Sequence, residues 1–435
     1  MSEKTEKLIR PGEIEFADTE TIRQMQEHKL AEMLSFINKY SPFYKAKFKE
    51  LNIDIRNISI DNLKELPFTT KDDLAKFNEQ FLCADKSKVA DYITTSGTTS
   101  EPVTFYLTSN DLNRIAYNEA VSLQCADGSS NDIFQIMITI DKLFMAGMAY
   151  FLGIQKLNAA AIRVGPGTPN AQWEYIHRFK PSTLIAIPSF IPKLIEYALE
   201  NKIDYKNTSV KKIICLGEPV RQPDFSFNEL GKRITSQWNV KLYSTYASTE
   251  MSAAFTECGK GNGGHSHPEL LILEVVDDNG NKVREGELGE VVVTTLGVEG
   301  MPLLRYRTGD LCHVYYSKCS CGRNTTRLGP VMGRKQQMIK YKGTTLFPQT
   351  IFNVLDMLPQ IKLYQVEVKR DEFNNDSVTV YIDIHLKTSP FIQELLSLFK
   401  SKIRVTPLLE FISEDELNSR VHKSDKRKTE KIIYL

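Results

Sequence analysis

The sequence predicts an α/β protein: a large N-terminal domain of alternating strands and helices with a small β-barrel or sheet portion, followed by a small, mobile α+β C-terminal domain. Three observations predict it. Between Ser109 and Leu216 helical and strand-like stretches alternate, the pattern of βα units. From Leu271 the chain turns to LILEVVD, GELGEVVVTTL and MPLLRYRTGDLCHVYY, short runs separated by turn residues such as Asp278-Asn279-Gly280. Beyond Gly333-Arg334, roughly 100 residues mix both kinds of segment, which places domains at 1–333 and 334–435.

Composition sets the class. Of 435 residues, 41% are hydrophobic and 25% charged, and the formal net charge is +1, so the chain is globular and lacks the basic excess of a nucleic-acid binder. The opening MSEKTEKLIR has no apolar signal core and no apolar run is long enough to cross a bilayer, so a cytoplasmic protein without a membrane partner is expected. A homodimer is left open. Seven cysteines, an odd number, favour a metal or free thiols over a disulfide framework.

In chain order, residues 19–48 carry apolar positions at helical spacing, broken by Ser41-Pro42 into two helices. Thr70 is an N-cap for KDDLAKF, ahead of Asp72 and Asp73. Asp91 to Phe105 reads as strand, loop and strand. A helix over 109–122, a strand over 133–140, a helix over 143–157 and a strand over 160–164 follow. The run LFMAGMAYFLG, Leu143 to Gly153, is apolar nearly all round, which suits a buried helix or one wall of an apolar substrate pocket. Strands over 183–187 and 212–216 end in Pro188-Ser189 and Gly217-Glu218-Pro219, at the strand ends where α/β sheets bind ligands.

Three stretches carry candidate chemistry. Ser96, Gly97, Thr98, Thr99 and Ser100 are small enough for backbone N–H groups and hydroxyls to close on a polyphosphate, although an ordinary turn uses the same residues. The P-loop pattern is absent. YSTYASTE, 243–250, sets an aromatic ring, hydroxyls and a carboxylate at a strand end. Cys258, His265 in CGKGNGGHSH, and Cys319 and Cys321 in CSCG offer three thiolates and an imidazole, a tetrahedral set for structural zinc in the β portion at about 255–330. His267 competes with His265, reduced thiols are the plain alternative, and Cys312 reads as a packing residue.

SGTTSEP (96–102), LGEP (216–219), YASTE (246–250), YRTGDL (306–311), GRKQQMIKYKG (333–343) and KRKTEK (426–431) occur in the order found in adenylate-forming acyl-CoA synthetases. The chain resembles their phenylacetate-CoA ligase-like branch from about residue 20 to the end, most closely in CSCGRNTTRLGPVMGR and TLFPQTIFNVL. The resemblance implies that an aryl or arylacetic acid reacts with ATP to give acyl-AMP and pyrophosphate, and that the acyl group then passes to coenzyme A. The implied partners are the carboxylic acid, ATP, Mg²⁺ and coenzyme A, beside the structural Zn²⁺. Residue by residue, Ser96 to Ser100 would hold the pyrophosphate, Glu250 the Mg²⁺ and Thr249 a phosphate. Tyr246, followed by Ala247 and Ser248, would stack on adenine, and Gly217, Glu218 and Pro219 would line the other side of the base. Asp310 would accept from both ribose hydroxyls, Arg334 would reinforce the ribose side, and Lys428 would reach the reacting carboxylate and the α-phosphate.

Four positions depart from the family pattern. Ser100-Glu101 stands for Gly-Lys, Ala247 for glycine, Gln336 for the hinge aspartate and Arg427 for the glycine before the lysine. Glu101 and Gln336 keep one rival in view, a nucleotide-binding homologue with altered catalysis; separately, nothing in Phe144, Met145, Met148 or Tyr150 excludes a fatty or amino acid, or a ligase that loads a carrier-protein phosphopantetheine thiol. A zinc-dependent nucleic-acid binder is disfavoured, because no basic face is clustered outside the terminal tail.

Overall fold

The computed structural model describes residues 12–95, 103–342, 344–370, 376–422 and 430–435. Its chain divides into two compact units. One comprises Met1–Phe227, Gly231–Thr308 and Cys312–Val331, and the other Asn228–Leu230, Gly309–Leu311 and Met332–Leu435.

The first unit begins with two helices, Thr19–Tyr40 and Pro42–Glu50, broken at Ser41 as the sequence predicts. Ser41 accepts from the Tyr44 N–H and Pro42 takes the first helical turn, where its missing donor is harmless. Lys71–Phe77 starts in a capping box between Thr70 and Asp73, and Ser109–Cys125 in a second one between Thr108 and Asp111. The strands Val89–Thr94 and Thr104–Thr108 pair antiparallel; the Ser96–Ser100 loop between them lies outside the described residues.

Five parallel strands follow, in the spatial order Ala160–Arg163, Ile133–Ile136, Thr183–Ala186, Lys212–Leu216 and Lys241–Ser248. Their central positions, among them Phe134, Ile185 and Ile214, are closed from solvent, as expected for strands covered on both faces. The sheet then continues antiparallel through Ala253–Glu257, Gly264–His265, Arg327–Leu328, Tyr306–Tyr315, Leu288–Thr295 and Leu271–Val276. The β portion is therefore a sheet and not a barrel, continuous with the parallel half.

The helix expected from Leu143 starts later, at Met145–Lys156, because Lys142 and Leu143 have φ values of 59° and 57° that no α-helix accommodates. Nor is it buried all round. Gly147, Ala149, Tyr150, Gly153 and Ile154 face inward, whereas Met148 is exposed. Gly147 is required here, since a Cβ would sit 2.2 Å from the Thr139 carbonyl oxygen.

The second unit is α+β. Its four-stranded sheet runs Leu408–Ile412, Asp376–Asp383, Tyr364–Arg370, Ile432–Tyr434, and packs with the helices Pro348–Asp356 and Ser389–Ile403 around Val366, Val380, Leu395 and Phe399. Lys428 lies outside the described residues.

Candidate functional site

The C-terminal ends of the parallel strands share one edge of the sheet, and two of them carry predicted residues. Gly217, Glu218 and Pro219 follow Lys212–Leu216, and Tyr246 to Glu250 close the strand Lys241–Ser248. Gly217 has φ 80° and, among the described residues, nothing within 4 Å of where a Cβ would stand, so the loop can admit a flat ligand against its backbone. The Ser189 N–H donates to Glu218 Oε2 at 3.0 Å, which joins two neighbouring loops. Arg221, just beyond, donates from Nε to both oxygens of Glu257 at 2.8 and 2.9 Å, and the Ser244 N–H adds a third bond at 3.1 Å. This clamp fixes the loop root to the adjoining strands. No sequence signal paired Ser189 with Glu218 or Arg221 with Glu257.

Tyr246 is half-buried, with its ring stacked on Phe255 at 5.8 Å between centroids and 23° between planes. Ala247 is exposed. Ser248 caps the following turn, its Oγ accepting from the Met251 N–H at 3.3 Å, and the Thr249 carbonyl accepts from the Ser252 N–H at 3.2 Å. Glu250 is half-buried; Tyr306 OH donates to its Oε1 at 3.5 Å, and among the described residues it pairs with no cation. A carboxylate so placed suits a hard divalent ion that also takes ligands from substrate phosphates.

In the second unit, Asp310 stands opposite Arg334 in an antiparallel pair, and Arg334 Nε donates to Asp310 Oδ1 at 3.3 Å. Asp310 is buried and Arg334 half-exposed. The arginines before it are structural, a role the sequence reading missed. Arg305, 1% exposed, donates to both oxygens of Glu274 at 3.0 Å and to the carbonyls of Lys64 and Leu66 at 3.0 and 2.8 Å, beneath the Phe68 ring. Arg307 pairs with Glu290.

The predicted metal ligands converge. One ligand atom from each of Cys258, His265, Cys319 and Cys321 lies within 4.8 Å of all the others. Cys258 Sγ and Cys319 Sγ are 3.8 Å apart, and Cys321 Sγ and His265 Nε2 3.6 Å. A tetrahedron with Zn–S of ~2.3 Å and Zn–N of ~2.05 Å has edges of roughly 3.8 and 3.6 Å, so the donor set fits zinc. His265 Nδ1 bonds Thr325 Oγ1 at 2.9 Å, which leaves Nε2 for the ion. Burial, with Arg323 nearby, holds the imidazole neutral, lowering it to about 3, as a ligand requires. His267 does not compete: it is fully buried between Ser122 Oγ, at 2.8 Å, and Glu15. Glu15 also pairs with Arg323, so the short helix Glu13–Phe16 is strapped to the cysteine knuckle. Cys312 is buried in the main core, as expected.

Among the described residues no helix is long and apolar enough to cross a membrane.

Similarity to known proteins agrees with the architecture. The model of the AMP-binding enzyme family matches residues 36–300, more than half of the chain. The phenylacetate-coenzyme A ligase of Thermus thermophilus is 29% identical over 390 residues, covering 88% of this chain and 85% of its own. That of Escherichia coli is 27% identical over 387 residues, covering 85% and 84%. Among solved structures, 2-hydroxyisobutyryl-CoA ligase in its postadenylation state superposes with a TM-score of 0.85 at 21% identity, over 97% of this chain and 91% of that one. The chain belongs to the AMP-binding enzyme family.

Proposed function

We propose that the protein is an AMP-forming acid–thiol ligase that activates an aryl or arylacetic acid as acyl-AMP and passes the acyl group to coenzyme A. One observation carries the reading: Gly217 to Pro219 and Tyr246 to Glu250 come together on the ligand-binding edge of a parallel sheet. Tyr246 would take the adenine on the ring face turned away from Phe255, with the Gly217 loop across the base. Glu250 would hold Mg²⁺, which when bound neutralises charge on the ATP phosphates. Thr249 would bond a phosphate, Ser96 to Ser100 would hold the pyrophosphate, and Asp310 with Arg334 would hold the ribose. Lys428, on a mobile C-terminal lid from residue 334, would steady the carboxylate as it attacks the α-phosphorus and pyrophosphate leaves. Removal of the lysine in the second step would let the thiol displace AMP.

The donor distances around Cys258, His265, Cys319 and Cys321 support a structural zinc. All four places are filled by protein, so this ion would pin loops and open no position to substrate.

Lys428→Ala tests the lid assignment. Acyl-AMP formation should slow severely while thioester formation from pre-made acyl-AMP is nearly unchanged; an equal fall in both steps would remove Lys428 from this role.

A further inference from the structure

The turn that carries Glu250 ends in a strained residue. Ser252 has φ 48°, a left-handed conformation that a residue with a side chain keeps only where its surroundings impose it. Its N–H and hydroxyl both donate to the Thr249 carbonyl, at 3.2 and 3.3 Å, so its conformation sets the turn in which Glu250 sits.

On its other side, the Ser252 carbonyl is held by one buried side chain. Arg114, on the helix Ser109–Cys125, donates from Nη1 to the Ser252 carbonyl at 2.7 Å, from Nε to the Leu296 carbonyl at 2.8 Å and from Nη2 to the Leu270 carbonyl at 2.5 Å. One helical turn on, Asn118 Oδ1 accepts from the Ala254 N–H at 3.1 Å, so the helix grips the chain on both sides of Ala253. Burial of a guanidinium is unfavourable, and among the described residues none of these bonds goes to a carboxylate. A methionine would fill similar space without charge. What arginine adds is three donors in a rigid plane, which lysine cannot reproduce.

We propose that Arg114 is a positioning residue for adenylation: by fixing the Ser252 carbonyl it aims the Glu250 carboxylate at the Mg²⁺ on the ATP phosphates. This rests on the reading of Glu250 as the Mg²⁺ carboxylate.

The test measures ATP affinity by calorimetry, without acid, in Mg²⁺ and in EDTA, alongside thermal melting. In Arg114→Met the gain in affinity that Mg²⁺ confers should fall about tenfold, the size expected for losing one charge-assisted hydrogen bond, while affinity in EDTA stays at the wild-type value. Ser252→Gly in the same background should recover part of that gain, because glycine adopts positive φ without strain. Arg114→Lys, which keeps the charge, carries the same test if the methionine variant does not fold. Glu250→Gln is the reference. If it leaves the Mg²⁺-dependent gain unchanged, the reading of Glu250 fails. If Glu250→Gln abolishes the gain but the Arg114 variants melt earlier with the gain intact, Arg114 only stabilises the fold and the proposal is overturned.

Discussion

The loop edge of the parallel sheet and the cysteine knuckle hold similar kinds of polar residue under opposite conditions. At the edge, Tyr246, Ser248, Thr249 and Glu250 are half-buried, and among the described residues the Glu250 carboxylate accepts one long bond, from Tyr306. At the knuckle, Cys258, Cys319 and His265 are closed from solvent, and His265 is linked through Cys321 to Arg323, which pairs with Glu15 and so with His267. Spare valence at an accessible strand end suits transient ligands, whereas a saturated, dry cluster suits a permanent one. The difference separates an open strand end from a closed cluster.

The largest effect should come from the knuckle. Cys319→Ser, or stripping the metal with a strong chelator, should cost about 5 kcal/mol or more of stability in the first unit, since binding energy at a structural site is folding energy. Wild-type protein should hold close to one zinc per chain by elemental analysis. Zinc-free protein of equal stability would erase the contrast between the two regions.

Next comes Arg305→Met, which leaves Glu274 charged and buried without its partner. A loss of about 3–5 kcal/mol is expected in chemical denaturation. Nucleotide affinity of the folded protein should change little, because among the described residues Arg305 bonds to Glu274, Lys64 and Leu66 of the scaffold.

Asp310→Ala should do the reverse. ATP binding and adenylation should weaken together by about 2–3 kcal/mol, with little change in melting. Unchanged ATP affinity would take Asp310 out of the site.

The last prediction concerns pH. Burial raises the Glu119 carboxyl to about 7, against the lowering effects of His267 and the bond from Asn118, with the buried Tyr150 phenol also facing it. Its folded value is raised, so its contribution to stability is fully present below about 4.5 and is lost as pH rises through about 7. Glu119→Gln should therefore gain on wild type in melting temperature as pH goes from 4.5 to 7. A pH-independent difference between the two would refute the shift.

Much of this was legible in the sequence. Ser41-Pro42 and Thr70 announced helix boundaries because capping is local chemistry, and the grouping of Cys258, His265, Cys319 and Cys321 by side-chain type matches their convergence in space. What could not be read depends on distant pairing. Arg305 with Glu274, Ser189 with Glu218 and Arg114 with Ser252 meet only after the chain has folded, and each arginine looks in sequence like an ordinary charge. That His265 and not His267 lies beside the three cysteines is equally tertiary, since Ser122 and Glu15 close around the second ring. The late start of the helix at Met145 follows from two left-handed residues whose types, lysine and leucine, give no such signal.

The central claim, that the open edge makes an acyl-AMP, is tested most directly by exchange of labelled pyrophosphate into ATP, measured without coenzyme A across a panel of carboxylic acids. The account predicts exchange that requires Mg²⁺ and a carboxylic acid, is strongest with arylacetic acids, and needs no thiol. Protein that binds ATP yet exchanges no pyrophosphate with any acid would contradict it and leave a nucleotide-binding homologue without the ligase reaction.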